Sequence, residues 1–285
     1  MPAPATTKPP PILTVHLFPP LESKLIELLK SLSASEWQAP TICRLWSVKD
    51  IAAHLLDGCL RRLSMVRDGY QGENPGKISG YQDLVQFLNR LNADWVKAMR
   101  RISPGVLIEL LEPASAKMCE LLARLDPFAP ASFGVAWAGE EQSPNWFDIA
   151  REYTERWHHQ QQVRLAVNRP GIMDREFYHP VLETFIRALP HGFRAVSADE
   201  SAALKLEITG DAGGKWLLRN SAAGWQLSEY RENDSAATSR VVINDQIAWR
   251  LFTKGIDRDL ARQQIKITGD QMLGAHVLDV VAVMA

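Results

Sequence analysis

Glu155 and His159 stand four residues apart in the run Glu155-Arg156-Trp157-His158-His159. On a helix that spacing stacks both side chains on one face, one turn apart. A carboxylate oxygen and a neutral imidazole nitrogen are both good zinc donors, with bonds of about 2.0–2.2 Å. The pair can therefore grip a single ion without distorting the backbone. His158 points about 100° away from His159, so His159, which shares the face of Glu155, is the better partner. A third ligand from a different helix would leave one position open for water or substrate, the arrangement of a catalytic zinc rather than a structural one. His54 is the natural third ligand. It lies within Trp46-Ser47-Val48-Lys49-Asp50-Ile51-Ala52-Ala53-His54-Leu55, and its small and apolar neighbours turn it inward. Each residue also has a plainer reading. His54 alone suits a satisfied core histidine, and Glu155 with His159 suits a solvated helix face bearing a weak pair worth roughly 0.2–0.5 kcal/mol. Spacing alone leaves both open.

Other reactive side chains offer less. Cys43 and Cys59 have no neighbour at i±4 that would lower their pKa, so they read as buried structural thiols. Trp37, Trp46, Trp146 and Trp157 read as core anchors, with Trp157 near enough in sequence to wall the site. Arg250 is a weak candidate for meeting an anionic substrate; a solvated arginine is the simpler account.

The elements that must position these residues follow from hydrophobic spacing. Leu21, Leu25, Leu28, Leu29 and Leu32 line one helix face, started by Pro19-Pro20 and ended within residues 33–40. Ser47 is the expected N-cap of the next helix, with the Asp50 carboxylate in its first turn, and the apolar pattern runs to about Arg67. Residues 69–80 form a loop. Residues 81–101, 106–124 and 145–167 read as further helices, the last stopped by Asn168-Arg169-Pro170-Gly171. Between them, residues 127–144 are a loop in which Phe133, Val135 and Trp137 alternate and suggest an extended piece.

The second half changes character. A helix over residues 177–189, ended by Pro190, precedes short runs that alternate at period two: 204–209, 215–219, 224–227 and 240–243. A helix over 245–252, a strand over 265–268 and a terminal helix from Gly269-Asp270 to near residue 285 complete the chain. The expected division is 12–172 and 173–285, with residues 1–11 a flexible lead-in.

Composition narrows the class. The chain has 285 residues, two domains' worth at roughly 100–200 each, and 46% hydrophobic residues to build cores. The formal net charge of −1 argues against a nucleic-acid partner, which needs concentrated basic surface. Three cysteines without a CxxC pair suggest neither a disulfide framework nor a cysteine zinc cluster and fit a reducing, cytoplasmic setting. No apolar run reaches the 18 or so residues of a membrane span, and residues 1–11 lack the pattern of a signal peptide. No obligate protein partner is suggested.

Two stretches carry a resemblance. The Trp46–Leu55 run resembles the first signature of the DinB-like metal-binding four-helix bundles. The Glu-x-Trp-x-His run, followed by Gln160-Gln161-Gln162-Val163-Arg164 and Asn168-Arg169-Pro170, is similar to the mycothiol-dependent maleylpyruvate isomerase branch. Ile267-Thr268-Gly269-Asp270, with Leu273, Val277, Leu278 and Val281 after it, looks like the end of a sterol-carrier-protein-like domain. The resemblance implies an α+β chain: a DinB-like four-helix bundle, then a smaller sterol-carrier-protein-like domain. It implies His54, Glu155 and His159 as ligands of a divalent metal, with zinc the first choice, and a low-molecular-weight thiol such as mycothiol as co-reactant. The partners expected are that thiol and a small electrophilic, anionic substrate, held between the two domains. A coordinated thiol is held as thiolate. It would add to a cis double bond, allow rotation, and leave to restore the trans form. Two other functions stand beside isomerase or S-transferase: a small-molecule or lipid binder with a structural metal, and a metal-dependent hydrolase.

Overall fold

Pro19 and Pro20 occupy the first turn of α1 (Phe18–Lys30), where a missing backbone N–H costs nothing. Leu21, Leu25, Leu28 and Leu29 form its buried face, as the spacing predicts. The computed structural model describes residues 9–228, 230 and 237–284. Most of the lead-in, residues 1–8, lies outside the described residues, as does residue 285 at the end of the expected terminal helix. The chain divides into two compact units.

The first unit comprises Leu13–Gly134 and Gln142–Ile172. After α1 comes α2 (Ala34–Trp37), a single turn where spacing suggests only a helix end. It exists because Ser33 and Glu36 form a reciprocal capping box. α3 (Val48–Arg62) opens on a second capping box, between Ser47 and Asp50. The helical path runs on to Arg67 as expected, but Leu63–Arg67 is a π-helical turn. α4 (Tyr81–Met99), α5 (Pro104–Arg124) and α6 (Asn145–Ala166) complete the bundle. α1 and α3 each pack against both α5 and α6, and α4 packs on α3. The four helices of the bundle are therefore α1, α3, α5 and α6, with α5 and α6 each packed against both α1 and α3.

α6 is buried on nearly every side, polar residues included. Buried charges must be paired and hydrogen-bonded, and they are. Arg156 binds both carboxylate oxygens of Glu22 on α1, through Nε to Oε1 at 2.7 Å and through Nη2 to Oε2. Arg62 on α3 reaches Asp148 at 2.5 Å and Glu152 at 2.9 Å. These pairs set the register of α6 against its neighbours.

The second unit includes Val135–Glu141 and Met173–Val283. The alternation of Phe133, Val135 and Trp137 is not an extended strand. Ala136–Ala138 is a 3-10 turn closed by Gly139 at φ 81°, and the loop's ladder is reduced to one bridge between Pro130 and Pro144. Val135 and Trp137 alternate because both are buried. α7 (Arg175–Ile186) stops short of Pro190, which sits instead in the first turn of α8 (Leu189–Gly192). The strands are β1 (Ala203–Thr209), β2 (Gly214–Arg219), β3 (Gln226–Ser228), β4 (Ser239–Asn244) and β5 (Lys266–Gly269). They form one sheet in the order β3-β2-β1-β4-β5. β1 and β4 run parallel, and the other neighbours antiparallel. α9 (Asp245–Phe252) packs on β1 and β4. α10 (Arg258–Gln264), capped by Asp257, was not signalled by periodicity. The terminal helix is short: α11 (Gln271–Ala275), capped by Asp270, then a 3-10 turn over His276–Asp279. The chain is α+β, as expected.

Candidate metal centre

Two side-chain hydrogen bonds fix α3 on either side of His54. Trp95 Nε1 on α4 donates to the carbonyl of Ala53 at 2.8 Å, and Arg156 Nη1 on α6 donates to that of Leu55 at 2.6 Å. Arg156 also follows Glu155 in sequence. The bond from Arg156 to Leu55 therefore registers the α6 turn bearing Glu155 against the α3 turn bearing His54.

That register brings together all three residues singled out from the sequence. One donor atom from each of His54, Glu155 and His159 lies within 4.8 Å of the others, and among the described residues this is the one cluster of three such groups. The rings of His54 and His159 meet edge to face with centroids 4.7 Å apart. His159 Nε2 stands 3.4 Å from Glu155 Oε2. Adjacent ligands of a tetrahedral ion with bonds of about 2.1 Å are separated by about 3.4 Å, so that pair already has a ligand spacing.

The protonation states suit a cation. Burial, reinforced by the neighbouring His159, keeps His54 neutral well below the ordinary imidazole value. Burial works against the charge of Glu155, but the surrounding imidazoles of His158, His159 and His54 outweigh it and hold the carboxyl far below the usual range. His159 Nδ1 lies 2.9 Å from Gln162 Oε1. An amide oxygen only accepts, so Nδ1 donates to it, and Nε2 is the nitrogen that faces the Glu155 carboxylate. His54 Nδ1 is buried and has no hydrogen-bond partner among the described residues. An orphaned imidazole nitrogen, a lone pair and a carboxylate form a donor set that fits a divalent cation.

His158 stays outside the cluster. Its Nδ1 pairs with the Thr154 carbonyl at 2.8 Å, and burial, then His159, pulls its pKa down to about 4. Trp46 has a different place from the core anchor expected. It is partly exposed, and its ring lies 4.8 Å from His54 and 5.9 Å from His159, centroid to centroid. Thr41 closes the loop that presents it, donating from Oγ1 to the Trp46 carbonyl at 2.8 Å. Trp157 is fully buried and donates to the Ile172 carbonyl at 2.8 Å. Gln162 and Arg156 were missed by sequence reading. The signal for Gln162 was its position three residues after His159, on the same face.

Burial drives the Cys59 thiol up to about 12 and Cys119 to about 11, and raises Cys43, so none is poised as a nucleophile. Arg250 lies on α9 in the second unit, its guanidinium 5.5 Å from the Trp249 ring centroid.

Fold and cluster together define a two-unit α+β protein whose helical bundle carries a part-buried His/Glu/His donor set. Residues 18–164 match the mycothiol maleylpyruvate isomerase N-terminal domain. The chain belongs to that family, and the matched segment contains all three donors. Among solved structures, a histidine-to-alanine mutant of the mycothiol-dependent maleylpyruvate isomerase is similar over 89% of this chain and 91% of its own, with a TM-score of 0.52 and 12% identity. A second structure of the mycothiol-dependent maleylpyruvate isomerase covers 83% of this chain and 86% of its own, at 0.47 and 13%. A ubiquinone synthesis protein, UbiJ-SCP2, covers 38% of this chain and 99% of its own, at 0.26 and 14%. No curated protein matches the chain. At these identities the structural likeness speaks to fold alone. No helix among the described residues is long and apolar enough to cross a membrane.

Proposed function

We propose that this protein is a metal-dependent isomerase or S-transferase that uses a low-molecular-weight thiol, such as mycothiol, to act on a small electrophilic substrate. The observation that carries the proposal is the convergence of His54, Glu155 and His159 from two helices on one ion-sized space. Family membership of the bundle supports the thiol. A divalent ion held there, zinc first among the choices, supplies Lewis acidity that keeps a coordinated thiol ionised at neutral pH.

The chain's own residues do the rest. His54 and His159 donate as neutral imidazoles. Glu155 contributes the one negative charge and stays ionised. With a divalent cation the set sums to +1, which leaves the site receptive to an anion. His54, Glu155 and His159 would hold the ion as three protein ligands, the number typical of a catalytic rather than a structural zinc site. Trp46 lies tilted beside both imidazoles and forms one wall of the site.

The reaction class is tested by incubating the zinc-loaded protein with a small cis-unsaturated acid, with and without thiol, and following cis-to-trans conversion. Turnover that requires both thiol and metal is expected. Cis-to-trans conversion without thiol would contradict the proposal, and loss of substrate to a hydrolysed product in place of the trans acid would favour a hydrolase.

A further inference from the structure

The sequence places three glutamines directly after His159, and only the third returns to its helix face. Gln162 is buried, and its Oε1 lies 2.9 Å from His159 Nδ1. We infer that Gln162 is the positioning residue of the site: its amide oxygen fixes His159 in the tautomer that leaves Nε2 free to bind a cation. The inference rests on the metal reading of the triad, but the tautomer itself does not require the ion.

The chemistry of the contact is specific. A neutral imidazole has one N–H and one lone pair, and whichever nitrogen donates leaves the other to accept. Without an acceptor at Nδ1, the proton would move to Nε2, where Glu155 Oε2 at 3.4 Å would take its hydrogen bond. The triad would then close on itself as a histidine–carboxylate pair with no lone pair to offer. Gln162 prevents this by occupying Nδ1. The contrast with His158 is informative: its Nδ1 is held by the backbone carbonyl of Thr154, one turn back. His159 is held by a side chain, so its tautomer depends on residue identity at position 162.

The choice of an amide has a consequence for charge. A carboxylate at position 162 would fix the same tautomer while adding a second negative charge to the site. The amide orients His159 without adding a second negative charge beside Glu155.

The test uses the full-length protein with zinc alone as the probe. Long-range proton–nitrogen correlation of the 15N-labelled, metal-free protein reads the His159 tautomer directly. The wild type should show the proton on Nδ1. Gln162→Leu should move it to Nε2 and weaken zinc binding about 10–100-fold, the usual cost of losing an outer-shell partner. Gln162→Glu, which keeps an acceptor, should restore the tautomer and the affinity. Thermal unfolding of both variants separates this from a loss of fold, which Gln162→Glu would not rescue. A proton on Nε2 in the wild type, or an unchanged tautomer in Gln162→Leu, would overturn the inference. If the wild type showed the Nδ1 proton but bound no zinc, the metal reading would fall while the assignment of the tautomer to Gln162 stood.

Discussion

His159 is held from both ends: Gln162 takes its Nδ1 and Glu155 faces its Nε2. His54 is less constrained, since its buried Nδ1 has no hydrogen-bond partner among the described residues. The indole of Trp46 lies against both rings. A paramagnetic ion bound to those imidazoles would sit close enough to quench Trp46 emission. Titrating the metal-free protein with nickel should therefore lower tryptophan fluorescence with saturation, and Trp46→Phe should remove most of that response although the chain has nine tryptophans. A response unchanged in Trp46→Phe would mean the ion binds elsewhere. Helical spacing singled out Glu155 with His159 and a small-residue environment turned His54 inward, but only the family resemblance joined the three as a set, and the fold brings their donor atoms together. The roles of Trp46 and Gln162 were not legible in the sequence. One depends on a loop folded by Thr41, the other on which ring nitrogen faces which neighbour.

Elements carry the site through buried charge. Arg156 joins α6 to Glu22 on α1 and to the Leu55 carbonyl on α3. Removing Glu22 would strand a buried guanidinium, and breaking one side of such a pair costs about 3–5 kcal/mol. Glu22→Ala should lower the urea midpoint by a corresponding amount and, by loosening Arg156, weaken metal binding as well. A change below about 1 kcal/mol would show that Arg156 finds another partner. Helix starts were readable from chemistry at Pro19-Pro20 and Ser47, and the strand runs from their period of two. Where sequence reasoning failed, another force decided. The capping box at Ser33 and Glu36 makes a helix too short to show periodicity. Burial makes Val135 and Trp137 alternate without any strand to pair with. Asp257 starts α10 where apolar spacing is weak.

At the scale of the whole molecule, the buried ionisable groups predict how stability responds to acid. His158 is neutral in the fold down to about pH 4, whereas an unfolded histidine takes a proton near 6.5. Its contribution is complete above about pH 6.5 and shrinks as pH falls towards 4, because the unfolded state binds more protons. Asp148 follows further down. Burial raises its pKa, but Arg151 and Arg62 outweigh that and hold it below the ordinary carboxylate value. Its share is intact above about pH 4 and is lost as pH drops through the lowered value. Urea unfolding in chelator at about pH 7.5, 5.5 and 4 should give a midpoint that falls at each step. A midpoint constant between the first two would show that His158 is not buried in its neutral form. The order of the two units, helical first and mixed sheet second, was visible as a change from helical spacing to period-two alternation near residue 170. The membership of Val135–Glu141 in the second unit was not, because only three-dimensional packing reveals it.

Metal content decides the central claim most directly. Protein purified without chelator and then equilibrated with zinc should hold one ion per chain by elemental analysis, and His54→Ala, Glu155→Ala and His159→Ala should each lose most of it while keeping the wild-type circular dichroism. Folded variants that retain a full equivalent of zinc, or a wild type that retains none, would contradict the account.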